Sequence, residues 1–351
     1  MDYQLSQRGR ASIEFLVDLR IQSNRLEPQV DAYFEQKGIA VPASPAEVAG
    51  DYDGMQAQVL EKLQNSTDFR VLSLCREWML EEHGRVAMDA FEDIRGAVTP
   101  ALDALEQGSC TLEKTSFAAP AYWDGYEFHR SAGGWDGHDY MGFVHGELIH
   151  YHMVGKSLAG VLHGQRLAAA QQAPVDAPAT ILEIGCASGQ FTQALAETYP
   201  DAQITALDMS LRQLQQTLRR GNEQHYHWQL LQAPAEASGL ADDSFELVCS
   251  YAVFHELPVA VAEEVMREKF RLCRPGGVML MADVKPYAAH KSRELWKADY
   301  WNQVVGGDPF WREYATTDFT ALAESAGFVD VQWGGLGEHD YPYVLTGRKP
   351  G

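Results

Sequence analysis

The chain has 351 residues, 46% of them hydrophobic, enough for two domains or one large one around a packed core. Its 28 basic and 49 acidic side chains leave a net charge of −21, which repels phosphate backbones and argues against a nucleic-acid or anionic-membrane partner. No apolar run reaches the ~18 residues of a membrane span, the start lacks the basic-then-apolar order of a signal peptide, and Cys75, Cys110, Cys186, Cys249 and Cys273 are scattered like reduced thiols, so a cytoplasmic protein is expected.

Residues 1–120 read as an all-helical domain. Ile13, Phe15, Leu16 and Leu19 share one helical face, and residues 28–36 form a short helix ended by Gly38. Ser44-Pro45 starts another, with proline at the first helical position. Met55, Val59 and Leu63 recur at helical spacing up to Asn65-Ser66. Val71, Leu72, Leu74 and Trp78 mark one more helix, and Val86, Met88, Phe91 and Ile94 a further one. A lid, a substrate wall or a homodimer contact are the roles such a bundle offers; plain scaffold is the alternative.

Residues 121–174 form a connecting segment of different character. Its first part, residues 121–152, holds five of the twelve histidines, His129, His138, His145, His150 and His152, among turn signals such as Gly133-Gly134 and Asp136-Gly137. Trp123, Tyr126, Trp135 and Tyr140 can wall a substrate. His145, Glu147, His150 and His152 offer N and O donors, but their spacing fits no H-E-x-x-H or Cys/His template, so no metal is expected. A helix is expected from 154 to about 172, with Leu158, Val161, Leu162 and Leu167 inward.

Residues 175–351 carry the organising pattern. Ile181, Leu182 and Ile184 form a β-rich run around Glu183, followed by the small-residue turn Gly185-Cys186-Ala187-Ser188-Gly189. An amphipathic helix with Phe191, Leu195 and Tyr199 leads to a second strand, Gln203 to Leu207, stopped by Asp208. This is a β-α-β unit whose first turn lets a ligand approach the backbone, and whose closing acid can accept both hydroxyls of a ribose. A nicotinamide fingerprint G-x-G-x-x-G fails, since Ala187 and Gln190 stand where glycines are needed.

The pattern E-x-G-x-G-x-G fits better, with Glu183, Gly185 and Gly189 in place and Ala187 at the middle glycine, and here the chain resembles the class I S-adenosylmethionine-dependent methyltransferases. The resemblance implies an α/β fold with a seven-stranded sheet, mostly parallel with the last strand antiparallel, behind the helical N-terminal domain. It implies S-adenosyl-L-methionine as cofactor, S-adenosyl-L-homocysteine as product, and contacts from Glu183, Gly185, Cys186, Ala187, Gly189, Asp208, Met209, Ala235, Glu236 and Tyr251. Pro234 stands where the family usually has an acid near the adenine.

Further strands are expected at 228–231, 245–250, 278–282, 328–333 and 343–346, with helices at 210–220, 261–273, 287–305 and 316–326. His255 and Glu256 follow the fourth strand, where the carboxyl edge of a parallel sheet holds ligands. His255 is the first candidate base, with His145, His150 and Glu147 in reserve. Tyr126, Trp135, Tyr140, His255, Tyr300 and Trp301 are the expected substrate contacts. The expected function is methyl transfer to a small-molecule O, N or S nucleophile. A cofactor-binding protein without methyl transfer and a protein methyltransferase are the competing readings.

Overall fold

The computed structural model describes residues 3–351 apart from 159–160, 292 and 339. Its sheet contains β1 (Thr111–Lys114), β2 (Thr180–Ile184), β3 (Gln203–Asp208), β4 (Gln229–Gln232), β5 (Phe245–Tyr251), β6 (Cys273–Asp283), β7 (Val329–Gly335) and β8 (Tyr343–Arg348). The order is β1-β4-β3-β2-β5-β6-β8-β7. Strands β1 to β6 pair in parallel, and β8 runs antiparallel to both β6 and β7. All seven expected strands are present. The eighth, β1, lies inside the stretch read as helical. It is a mostly exposed edge strand in which only Leu112 is half-buried, so it carries no alternation for sequence reading to find.

The helices are α1 (Gln7–Asn24), α2 (Glu27–Lys37), α3 (Pro45–Val48), α4 (Tyr52–Leu63), α5 (Thr67–Glu92), α6 (Arg95–Ala104), α7 (Met141–Phe143), α8 (Leu162–Ala170), α9 (Gln190–Thr198), α10 (Leu211–Glu223), α11 (Val259–Leu272), α12 (Arg293–Ala298), α13 (Trp311–Thr316) and α14 (Phe319–Ala326). The two helices expected around 71–78 and 86–94 are one, α5. Gly84 does not break it; that position faces the backbone of Ser131 and Ala132, where a small residue lets the connecting segment close in.

The N-terminal helices are not a detached unit. Val30, Phe34, Met55 and Leu63 pack in the same core as Trp296, Tyr300 and the sheet residues Val248 and Met281. A second core joins Ile13 and Leu16 of α1 and Phe91 of α5 to Phe143 and Leu148 of the connecting segment.

Three expectations about the connections change. The segment read as loop through residue 152 ends in wide, π-helical turns over Val144–Gly155. Of the helix expected over 154–172, Leu158 and Val161 are exposed rather than inward, α8 begins only at Leu162, and 159–160 lie outside the described residues. The helix expected over 287–305 is divided into a 3-10 turn at Tyr287–Ala289, α12 and a π-helical stretch, Asp299–Val304. Buried Asp299 pins this segment by accepting from Gln56 (2.6 Å), Tyr287 (2.7 Å) and Arg312 (2.6 Å).

Strand β2 sits centrally, with β3 on one side and β5 on the other. Successive crossovers diverge from it, and ligands in such sheets bind at the carboxyl ends of the strands around that point. No helix among the described residues is long and apolar enough to cross a membrane.

Candidate active site

A cavity of about 690 Å³ opens at that point. One half is built by the turn after β2 and the end of β3. Gly185 has φ +71, and a Cβ there would lie 2.5 Å from Val253 Cγ2, so the turn closes only on glycine. Ala187 is held at φ +44, which explains why a glycine suits that middle position. Its N–H donates to Asp208 Oδ2 (2.9 Å), and Ser210 N–H donates to Oδ1 (2.8 Å). Each Asp208 oxygen retains a lone pair toward the cavity it lines. Burial pushes the Asp208 carboxyl up to about 7, against the two backbone donors.

Glu183 forms the floor. It is 1% exposed, accepts from Thr192 Oγ1 (2.5 Å), and burial raises it to about 8. Arg166 of α8 lines the same half, lies over the Tyr251 ring (5.6 Å) and has no ion-pair partner among the described residues.

The other half follows β5 and β6. Asp283, at the end of β6, is 2% exposed and takes four donors. Its Oδ2 accepts from Val253 N (3.1 Å) and Phe254 N (2.8 Å); its Oδ1 accepts from His255 Nδ1 (2.6 Å) and Val284 N (2.7 Å). This fixes the tautomer of the neutral His255 ring: Nδ1 carries the proton and the lone pair is on Nε2. Burial alone lowers the His255 pKa, but Asp283, Glu256 and Asp308 outweigh it and raise the net value.

His129 stands beside this pair, with Nε2 2.9 Å from Glu256 Oε1 and Nδ1 2.7 Å from Asp308 Oδ1. Burial opposes its charge, yet the two carboxylates hold it well above the usual imidazole range. Trp135, Trp301 and Trp311 supply apolar wall, while Leu16 and Met79, from α1 and α5, close the far side.

The expected site residues divide. Glu183, Gly185, Cys186, Ala187, Asp208, Met209, Ala235, Tyr251, His255, Trp135 and Trp301 line the cavity, as do His145 and His150. Gly189 instead packs on Thr217, with space for a Cβ only 2.9 Å from its Cγ2. Glu236 accepts from Tyr122 Oη at 2.8 Å, which places Tyr122 rather than itself on the wall. Glu147 turns to Arg220 (2.6 Å). Tyr140 packs on Phe91 and donates to Asp103, Tyr126 packs on Phe128 and Phe310, and Tyr300 stacks on Trp296 inside the core.

His145 and His150 keep a cavity position without a carboxylate partner. Burial lowers both, His150 to about 3 with Arg166 adding to the effect, and His145 sits edge-on to Trp135 at 4.4 Å. His152 bonds the Tyr3 hydroxyl (3.0 Å) instead. The sequence cluster of His145, Glu147, His150 and His152 is therefore taken apart.

Asp283, His129 and Asp308 were not among the expected site residues. The rule that found Asp208, an acid closing a parallel strand, also marks Asp283. His129 and Asp308 have no local signal, since their partners are distant in the chain.

Residues 181–277 match the family model described as a methyltransferase domain. The malonyl-[acyl-carrier protein] O-methyltransferase of Legionella pneumophila is 30% identical over 122 residues, 35% of this chain and 42% of that protein. A ubiquinone/menaquinone biosynthesis C-methyltransferase of Desulfotalea psychrophila is 29% identical over 108 residues, 31% of this chain and 42% of that protein. The chain thus spans under half the length of these two relatives. A putative O-methyltransferase from Nostoc punctiforme shares the fold over 97% of this chain and 95% of its own, with a TM-score of 0.50 at 15% identity. Residues 181–277 are thus similar to a methyltransferase domain, and the sheet that contains them has the fold shared with the Nostoc protein.

Proposed function

We propose that the protein methylates a small-molecule O, N or S nucleophile, using S-adenosylmethionine. The observation that carries this reading is the continuity of one cavity from the Gly185–Asp208 turn to the lone pair of His255 Nε2. The cofactor half fits its ligand. The Gly185-Cys186-Ala187 backbone leaves room beside it, Asp208 offers two acceptor oxygens for ribose hydroxyls, and unpaired Arg166 is a cation suited to the methionine carboxylate. When bound, S-adenosylmethionine supplies a methyl group on a sulfonium leaving group.

The chain's own task is to hold the nucleophile in line and dry. The wall of Trp135, Trp301 and Trp311, closed by α1 and α5, encloses a small, partly apolar molecule. Where the acceptor carries a proton, His255 Nε2 is the group positioned to receive it, with Asp283 orienting the ring and stabilising its charged form. The net charge of −21 argues against a polyanionic substrate.

Incubation with methyl-labelled S-adenosylmethionine and a fractionated metabolite extract tests the reading. Label in a small molecule, dependent on His255, is expected. Label in protein would make it a protein methyltransferase. Cofactor binding with no transferred label across the extract would leave a binding protein of the same fold.

A further inference from the structure

The acceptor end of the cavity holds a set of donors that methyl transfer by proximity does not need. His129 comes from the segment between β1 and β2, and His255 and Glu256 from the turn after β5. His129 Nε2 lies 2.9 Å from Glu256 Oε1, His255 Nε2 lies 3.9 Å from the same oxygen, and the three donor atoms all fall within 4.8 Å of one another. All three residues line the cavity.

The outer nitrogen of each ring meets a buried carboxylate, by a hydrogen bond at His255 and by an ion-pair contact at His129. His129 Nδ1 faces Asp308 (2.7 Å) and His255 Nδ1 faces Asp283 (2.6 Å), two carboxylates that are 4% and 2% exposed. A carboxylate behind each imidazole, with the other nitrogens converging, is the arrangement that orients histidines toward a metal ion. The 3.9 Å from His255 Nε2 to Glu256 is too long for a hydrogen bond. Backbone strain is concentrated here as well: His129 and Arg130 both have positive φ, 52° and 55°, without being glycine.

A metal with N and O ligands at about 2.0–2.2 Å places them roughly 3–3.5 Å apart. The observed separations bracket that range, so small side-chain rotations bring the three donors onto one ion. Two imidazoles and one carboxylate leave coordination positions open, and that donor set suits a first-row transition metal rather than calcium or magnesium.

We propose that His129, His255 and Glu256 bind one divalent first-row transition-metal ion at the acceptor end of the cavity, with Asp308 and Asp283 orienting the two rings. The binding site stands on its own geometry; its catalytic use rests on the proposed methyl transfer and changes how the acceptor is activated. With the ion bound, His255 Nε2 is a ligand and no longer the proton acceptor. The acceptor's X–H bond breaks under the ion's charge, the electron pair stays on X, and the proton leaves to solvent. The pair on X is then the nucleophile that takes the methyl group. The expectation of no metal, argued from the spacing of His145, Glu147, His150 and His152, covers the whole chain, and this set departs from it; none of those four belongs to the set.

The test uses the full chain, as purified and after chelation, with zinc and cobalt(II) as probes. Elemental analysis and calorimetry are expected to give one ion per chain, and cobalt(II) to show visible d–d bands of a site with nitrogen ligands. His129→Gln and Glu256→Gln should each weaken zinc by at least about 100-fold, and Asp308→Asn by about 10- to 100-fold, the range for an orienting carboxylate. Far-UV circular dichroism and melting temperature identify any variant that has merely unfolded, and the wild-type cobalt spectrum does not depend on variants. Absence of stoichiometric binding, or binding unchanged in both folded ligand variants, overturns the site. Full-rate methyl transfer by protein that binds no metal overturns it while leaving the proposed function standing; a metal-loaded protein that methylates nothing does the reverse.

Discussion

Replacing Asp283 by asparagine removes a negative charge and exchanges one acceptor oxygen for a donor, at a position that serves four donors. The side-chain oxygen of asparagine can keep Val253 N and Phe254 N, now at 3.1 and 2.8 Å, or His255 Nδ1 and Val284 N, now at 2.6 and 2.7 Å, but not both pairs. If it keeps the first pair, the new NH2 meets Val284 N–H and forces His255 into the other tautomer, with the proton on Nε2. The lone pair that faces the cavity is then gone, for a proton or a metal alike. A stranded buried N–H costs about 1–3 kcal/mol, so a stability loss of roughly 2–4 kcal/mol is expected once the weakened charge-assisted bonds are included. Reversing the tautomer in a buried Asp–His pair lowers turnover by up to about 10⁴, and a fall of 10²–10⁴ in kcat is expected here. Urea unfolding measures the first quantity and labelled-methyl turnover at saturating acceptor the second. The dissociation constant of S-adenosylmethionine should stay within threefold, because Asp208 and the Gly185 turn are untouched. A kcat within threefold of wild type across pH would refute the role given to the Asp283–His255 pair.

Asp208→Ala should weaken S-adenosylmethionine by about 1.5–3 kcal/mol by calorimetry, the range for hydrogen bonds to a charged group; unchanged affinity would remove the ribose assignment. Gly185→Val should abolish cofactor binding by collision with Val253, since the position is already filled and has φ +71. His255→Ala should lower turnover by about 10²–10⁴ with cofactor affinity retained; a full-rate enzyme would show that the acceptor arrives deprotonated. Buried Lys269 bonds Ser250 Oγ (2.7 Å) and Leu280 O (3.0 Å), and burial lowers its pKa to about 7. Its folded-state pKa lies below the unfolded one, so the folded chain binds fewer protons between pH 7 and about 10.5, and this group adds stability there as pH rises, at about 1.4 kcal/mol per unit. Lys269→Met should remove that slope in urea unfolding; an unchanged slope would show that Lys269 is charged in the folded protein.

The cofactor half was legible because its signals are local. Glu183, the small turn and Asp208 fall within 26 residues of chain, and strand period, turn chemistry and a strand-ending acid each fix one of them. The acceptor half was legible only in part. The sequence marked aromatic residues of the connecting segment and of the 287–305 helix as wall, and Trp135 and Trp301 do line the cavity. It could not distinguish them from Tyr140 and Tyr300, which face the core, because irregular and π-helical backbone has no period to say which side is inward. The same lack of period hid the edge strand β1 and the division of the 287–305 helix. His129 meets Glu256 across 127 residues, a separation at which no spacing rule operates.

This distribution bears on what the relatives can say about the acceptor. The stretch that matches the methyltransferase domain, residues 181–277, contains the cofactor turn, Asp208, His255 and Glu256. It does not contain His129, Asp283, Asp308, Trp301 or Trp311, nor the α1 and α5 residues that close the cavity. Much of the wall at the His255 end of the cavity therefore comes from outside the matched stretch. Similarity in that stretch supports a shared cofactor site, because the residues that form it are the residues compared. It carries no argument about the acceptor, because much of the wall beside His255 lies outside residues 181–277. The discriminating residues are those outside the matched stretch that line the cavity, and a substrate screen gains most by following variants of Trp311, whose ring lies 5.4 Å from that of His255, and of Trp301, which lines the same cavity.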